Sequence, residues 1–191
     1  LVDAGFYGRK SGRGFYTYAA PGSSEVVADG QSPKGSAADD PGLAKIAKVG
    51  VVGSGTMATG IIEVFAKAGY DVVYVARGQD KVDGVLAAIK KGQARMIERG
   101  RLTQEAADAV NAKLTGSTTR EALGDVDIVV EAIAEDLAIK QELFRDLDRI
   151  CKPGAILATT TSSLPIIQCA NVTSRPGDVI GMHFFNPAQV M

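Results

Sequence analysis

Short runs of valine, isoleucine and alanine alternate with amphipathic stretches along most of this chain, beginning near Lys45. Such alternation is the pattern of βα units wound around a parallel sheet. The first apolar run, residues 46–52, predicts a strand. Met57, Ile61, Val64, Phe65 and Ala68 then fall at i, i+4, i+7, i+8 and i+11, one face of a helix packed on the sheet, and Gly69 ends that helix. Residues 72–75 predict a second strand, which closes a β-α-β unit of about 30 residues.

From Asp80 to about Lys113 the spacing becomes helical throughout. Val82, Val85, Leu86 and Ile89 share a face, Arg99-Gly100-Arg101 interrupts it, and Thr103 is placed to cap a second arm with its hydroxyl, so a helical hairpin is expected. The βα pattern then resumes with a central strand over 126–132, a helix over 136–150, and strands over 155–159 and 179–182. No internal repeat is visible. Upstream, residues 19–44 (AAPGSSEVVADGQSPKGSAADDPGLA) offer almost nothing to bury and read as a flexible linker between a short piece, residues 1–18, and the folded domain, residues 45–191. A start at Leu1 and a stop at Met191 directly after an apolar stretch suggest a fragment.

Composition narrows the function classes. At 191 residues there is room for one ordinary domain with appendages, and 46% hydrophobic against 23% charged residues implies a packed core. Lys plus Arg number 21 and Asp plus Glu 22, leaving no net field to draw in nucleic acid or an anionic membrane, so neither partner is expected. No apolar run approaches the roughly 20 residues of a membrane span, and the amino terminus lacks a signal-peptide pattern, so the expected location is cytoplasmic. Cys151 and Cys169 lack CxxC spacing, which disfavours a disulfide framework and a thiolate metal site. His183 is the only histidine, which excludes zinc sites built on paired imidazoles, and no metal is expected.

Chemistry enters at the first βα turn. Gly53-Ser54-Gly55-Thr56-Met57-Ala58-Thr59-Gly60 follows an apolar strand and opens a helix, the context in which a glycine-rich turn binds a dinucleotide. Gly53 permits the tight turn, Gly55 lets the backbone approach a pyrophosphate, Ala58 stands as a tolerated third position, and Gly60 eases helix-to-strand contact. The alternative is a glycine-rich turn with no ligand. The second strand should end in a carboxylate for the adenosine ribose, but Val75 is followed by Ala76-Arg77. Either Arg77 favours a 2′-phosphate and hence NADP, or it is a solvated loop residue while Asp80 or a backbone group contacts the ribose.

His183 lies just past the last apolar run, on the sheet edge where open α/β folds bind ligands, and suits a general base. Asn186 and the hydroxyl run 159–163 come from neighbouring strand ends. The bland alternatives are a structural histidine beside Phe184 and Phe185, and Ser162 or Ser163 capping a following helix.

Gly53-Ser54-Gly55-Thr56-Met57, Val130-Glu131-Ala132-Ile133-Ala134-Glu135-Asp136, Thr161-Ser162-Ser163-Leu164 and above all Gly181-Met182-His183-Phe184-Phe185-Asn186-Pro187 resemble the L-3-hydroxyacyl-CoA dehydrogenases, especially the bacterial 3-hydroxybutyryl-CoA type. The resemblance runs continuously over residues 45–191, and its last motif is the most specific. It implies an α/β Rossmann-type, doubly wound, mostly parallel sheet with a helical hairpin insertion. It also implies NAD-dependent oxidation of a (3S)-3-hydroxyacyl-CoA to the 3-oxoacyl-CoA, within fatty acid metabolism and β-oxidation. Residues 8–18 look like the end of the family's helical substrate domain, so the chain reads as a slice of a tandem protein, truncated before a second helical domain through which the parent forms a homo-oligomer.

By the same resemblance His183 is the catalytic base, and Ser162 and Asn186 hold the substrate oxygen against the nicotinamide. Glu135 and Lys140 stand near the nicotinamide ribose, and Arg99 contacts a coenzyme A phosphate. Thr160 replaces an asparagine common in the family. The family's glutamate that orients the histidine falls about a dozen residues after it, beyond Met191, so the fragment alone is expected to bind the dinucleotide with little turnover. The other class kept open is a dinucleotide-binding or interaction module without turnover; a Rossmann-type methyltransferase or an NADP-linked hydroxyacid dehydrogenase leaves the His-Phe-Phe-Asn-Pro run unexplained.

Overall fold

A computed structural model describes residues 3–27 and 45–189, and the chain divides after Ala44 into two units, Leu1–Ala44 and Lys45–Met191. In the first unit a 3-10 turn, Arg9–Ser11, ends at Gly12 with φ +76°, and strand β1 (Thr17–Tyr18) pairs antiparallel with β2 (Val26–Val27). The hairpin corrects part of the linker expectation: residues 19–27 make its turn and second strand, because backbone pairing orders a segment whose side chains offer little to bury. The remainder of the expected linker, residues 28–44, lies outside the described residues.

The second unit runs β3 (Lys48–Val52), α1 (Thr56–Lys67), β4 (Asp71–Val75), α2 (Gln79–Glu98), α3 (Gln104–Ala112), β5 (Leu114–Ser117), β6 (Ile128–Glu131), α4 (Leu137–Ile150), β7 (Ile156–Thr159), α5 (Ile166–Ala170) and β8 (Val179–Gly181). All pairings in its six-stranded sheet are parallel, in the order β5-β4-β3-β6-β7-β8. The chain starts at the centre, builds outward to one edge, returns, and builds to the other. The strand order therefore reverses between β3 and β6, where a crevice opens at the strand C-termini.

Period-two burial explains the two layers. Val49, Val51, Tyr74 and Val130 face Ile61 and Ile62 of α1 and Val85 and Ile89 of α2, whereas Val73, Val75, Val129 and Leu157 face Leu143, Phe144 and Leu147 of α4. The helical hairpin forms as expected, and the Thr103 hydroxyl accepts the Ala106 N–H at 3.2 Å. Two elements depart from the sequence expectation. Edge strand β5 reads Leu-Thr-Gly-Ser and carries no apolar alternation; it exists because β4 offers an unpaired edge. Helix α5 begins at Ile166 after the N-cap Pro165 and has no side-chain cap, so neither Ser162 nor Ser163 serves as its cap.

Candidate functional site

At the end of β3 the Gly53 N–H donates to the Val75 carbonyl at 3.0 Å, and the backbone turns with φ +140°. A Cβ on Gly53 would collide with the Ala132 carbonyl oxygen at the end of β6. Gly55, the N-cap of α1, has nothing within 4 Å of where its Cβ would stand and no side-chain cap. The first amides of α1 have no intrahelical partners, and residues 53–57 line open space. Ser54 and Thr56 are exposed beside them, and Ala58 is fully buried behind. The atoms nearest the place of a Gly60 Cβ belong to the Gln189 side chain, at 3.0 Å.

These residues form the floor of a cleft of about 730 Å3, with Met57, Val75, Ala76, Arg77, Lys81 and Ala132 among its walls. Its position at the β3/β6 reversal, the absence of a side chain at Gly55 and the open amides of α1 fit a dinucleotide pyrophosphate. Lys81, Thr118 and Arg120 also line the cleft and were missed from sequence, since Thr118 and Arg120 follow the unrecognised strand β5. Asp80, offered above as a ribose contact, is not among the lining residues.

A second constellation stands over β7 and β8. The register sets Glu131 beside Thr159 and Thr159 beside Gly181, so the segments leaving these three strands emerge side by side. The Ser162 Oγ lies 2.9 Å from His183 Nε2, and the His183 ring packs edge-on against Phe185. Both partners are exposed. Asn186 is exposed too, and no hydrogen bond among the described residues joins it to the pair.

Glu135 organises the loop that carries Ser162. Its Oε1 accepts the Thr161 hydroxyl at 2.5 Å and the backbone N–H groups of Ser162 and Ser163 at 3.0 and 3.2 Å. Burial pushes the carboxyl pKa up, but these hydrogen bonds and the Lys140 charge outweigh it and hold the group at about 2. Lys140 is itself fully buried, with Nζ 2.6 Å from Glu131 Oε1 and 3.3 Å from Glu135 Oε2, and the Thr159 hydroxyl donates to Glu131 Oε2 at 2.7 Å. Lys140, expected near the nicotinamide ribose, commits its ammonium to two carboxylates in the interior, where an unpaired charge would be costly. Glu131, unremarked in sequence because it sits inside an apolar run, is the fully buried anchor of this cluster.

Arg99 is exposed at the C-cap of α2 and does not line the cleft. Both cysteines are buried, and burial pushes the Cys151 thiol up to about 11, so neither is poised as a nucleophile. Among the described residues no group of His, Cys, Asp and Glu side chains could hold a metal ion, and no helix is long and apolar enough to cross a membrane.

Residues 48–191 match the family described as 3-hydroxyacyl-CoA dehydrogenase, NAD binding domain. The chain is 42% identical over 144 residues to the 3-hydroxybutyryl-CoA dehydrogenase of Clostridioides difficile, covering 75% of this chain and 51% of that protein. It is 44% identical over 147 residues to a probable 3-hydroxybutyryl-CoA dehydrogenase of Bacillus subtilis, covering 77% and 51%. The crystal structure of (S)-3-hydroxybutyryl-CoA dehydrogenase from Ralstonia eutropha superposes with a TM-score of 0.75 at 38% identity, over 77% of this chain and 52% of that one. The chain thus spans about half the length of the curated relatives it matches.

Proposed function

Because the chain belongs to the 3-hydroxyacyl-CoA dehydrogenase NAD-binding family, we propose that it supplies the dinucleotide-binding half of an enzyme that oxidises short-chain (3S)-3-hydroxyacyl-CoA to 3-oxoacyl-CoA. The observation that carries this reading is the 2.9 Å pairing of Ser162 Oγ with His183 Nε2 at the strand ends beside the glycine-lined cleft.

When Ser162 donates to Nε2, the imidazole proton resides on Nδ1 and the single Nε2 lone pair is held by the serine until Ser162 turns its hydroxyl to the substrate oxygen. Nε2 then takes the proton of the substrate C3 hydroxyl as the C3 hydride departs and the carbonyl forms. NAD, when bound, supplies the hydride acceptor. Ser162 and Asn186 hold the reacting oxygen, Glu135 fixes the Ser162 loop, and the open amides at residues 54–57 hold the pyrophosphate. Arg99 is assigned to a coenzyme A phosphate.

Steady-state oxidation of 3-hydroxybutyryl-CoA by the enzyme that carries this chain tests the reading. His183→Ala is expected to lower kcat by roughly 100-fold or more, the scale of general-base loss. Near-wild-type kcat in that variant removes His183 from the chemistry.

A further inference from the structure

The β4 side of the cleft carries charge that the reading above leaves unused. The adenosine of a bound dinucleotide would lie on this side, with its pyrophosphate over α1 and the reacting groups over β7 and β8 on the other. β4 stops at Val75, and Ala76 continues the pairing with β5 by donating its N–H to the Ser117 carbonyl at 3.1 Å, its methyl buried. Ala76 occupies the place where a carboxylate ordinarily accepts the ribose hydroxyls. None of the residues lining the cleft is acidic, whereas three of them, Arg77, Lys81 and Arg120, are cationic.

The three cations are not equivalent. Arg120 is committed to Asp146, a carboxylate that also pairs with Arg149 at 3.1 Å. Arg77 makes no ion pair or hydrogen bond among the described residues and is exposed at the strand end. Lys81, one turn further along at the start of α2, has only Asp80 nearby, at 3.8 Å with both side chains largely exposed. A guanidinium with no partner among the described residues and an ammonium held only by an exposed carboxylate, four residues apart, therefore flank the adenosine end of the cleft.

A carboxylate at this place repels a phosphate on the ribose 2′-oxygen; a methyl does not. A guanidinium offers a planar two-donor fork to phosphate, and an ammonium adds a second charge. We propose that this cleft accepts a 2′-phosphorylated dinucleotide, NADP or NADPH, with Arg77 and Lys81 as the groups that bind the 2′-phosphate. The proposal rests on the dinucleotide reading of the cleft and goes beyond it in naming the cofactor's second phosphate site.

The test titrates NADPH and NADH separately into the 191-residue chain and follows nucleotide fluorescence, without any turnover. Wild type is expected to bind NADPH with a dissociation constant within about tenfold of that for NADH, as two charge-assisted contacts offset the lost ribose hydroxyl bonds. Arg77→Ala and Lys81→Ala are each expected to raise the NADPH-to-NADH ratio of dissociation constants by about tenfold. Added salt should weaken NADPH more than NADH, since only the former brings the extra charges. Ala76→Asp should turn the chain against NADPH. A wild-type preference for NADH beyond about tenfold, or substitutions that leave the ratio unmoved, overturns the 2′-phosphate site while leaving the cleft a dinucleotide site. Binding of neither nucleotide overturns the dinucleotide reading itself.

Discussion

Glu135 accepts the Ser162 backbone N–H at 3.0 Å, so the residue that touches the His183 imidazole is placed by a carboxylate from the segment following β6. The carboxylate is held in turn by buried Lys140 and, through it, by Glu131.

Glu135→Ala removes the acceptor of two backbone amides and two hydroxyls. Displacing a reacting-site loop by about 1 Å costs on the order of 100-fold in rate, so kcat is expected to fall by roughly 10–100-fold. Glu135→Asp should recover part of it. Measuring kcat and KM beside the thermal midpoint separates positioning from folding: a loss of activity that merely tracks a lower midpoint removes the positioning role. The carboxyl is held at about 2, below its ordinary value, so its contribution to the loop is complete above the unfolded pKa and is lost as pH falls toward 2.

Gly53→Ala tests the turn under the dinucleotide. The backbone there has φ +140°, and a methyl would strike the Ala132 carbonyl and approach Ala58 Cβ to 3.1 Å. Strain of this kind costs on the order of 1–3 kcal/mol, and the floor of the cleft has to shift as well. Denaturant unfolding should show a loss in that range, and NADH titration a large loss of affinity. An unchanged affinity would mean that the nucleotide does not lie over this turn.

Asp127, just before β6, ties the start of β3 to the turn between α4 and β7. Its Oδ2 accepts the Ala47 and Lys48 N–H groups at 2.7 and 2.8 Å, and its Oδ1 lies 2.6 Å from the Lys152 ammonium. The Lys152 hydrogen bond, followed by the two backbone amides, lowers its pKa to about 2 against an opposing effect of burial. A depressed carboxylate stabilises the fold fully above its unfolded pKa, and the contribution fades as pH drops through the folded value. Asp127→Asn should therefore cost about 1–2 kcal/mol at pH 7, with the gap to wild type closing between about pH 4 and 2. Urea unfolding across that range checks it; a gap that persists at the acid end argues against the ionised form as its source.

The parallel βα architecture was legible along the chain because apolar runs alternate with helical stripes, and because Gly53 and Gly55 stand at the turn that joins the first strand of the unit to its first helix. His183 was legible for a similar local reason: it is the only imidazole and lies just past a strand. Other features depend on partners far along the chain. Strand β5 forms on the edge of β4 despite a polar sequence, which brings Thr118 and Arg120 to the cleft. The burial of Lys140 and its support of Glu135 depend on β6 placing Glu131 against it. Periodicity reports which face of an element is buried, whereas the pairing of charges across elements is decided by sheet register, and register is a property of the folded chain.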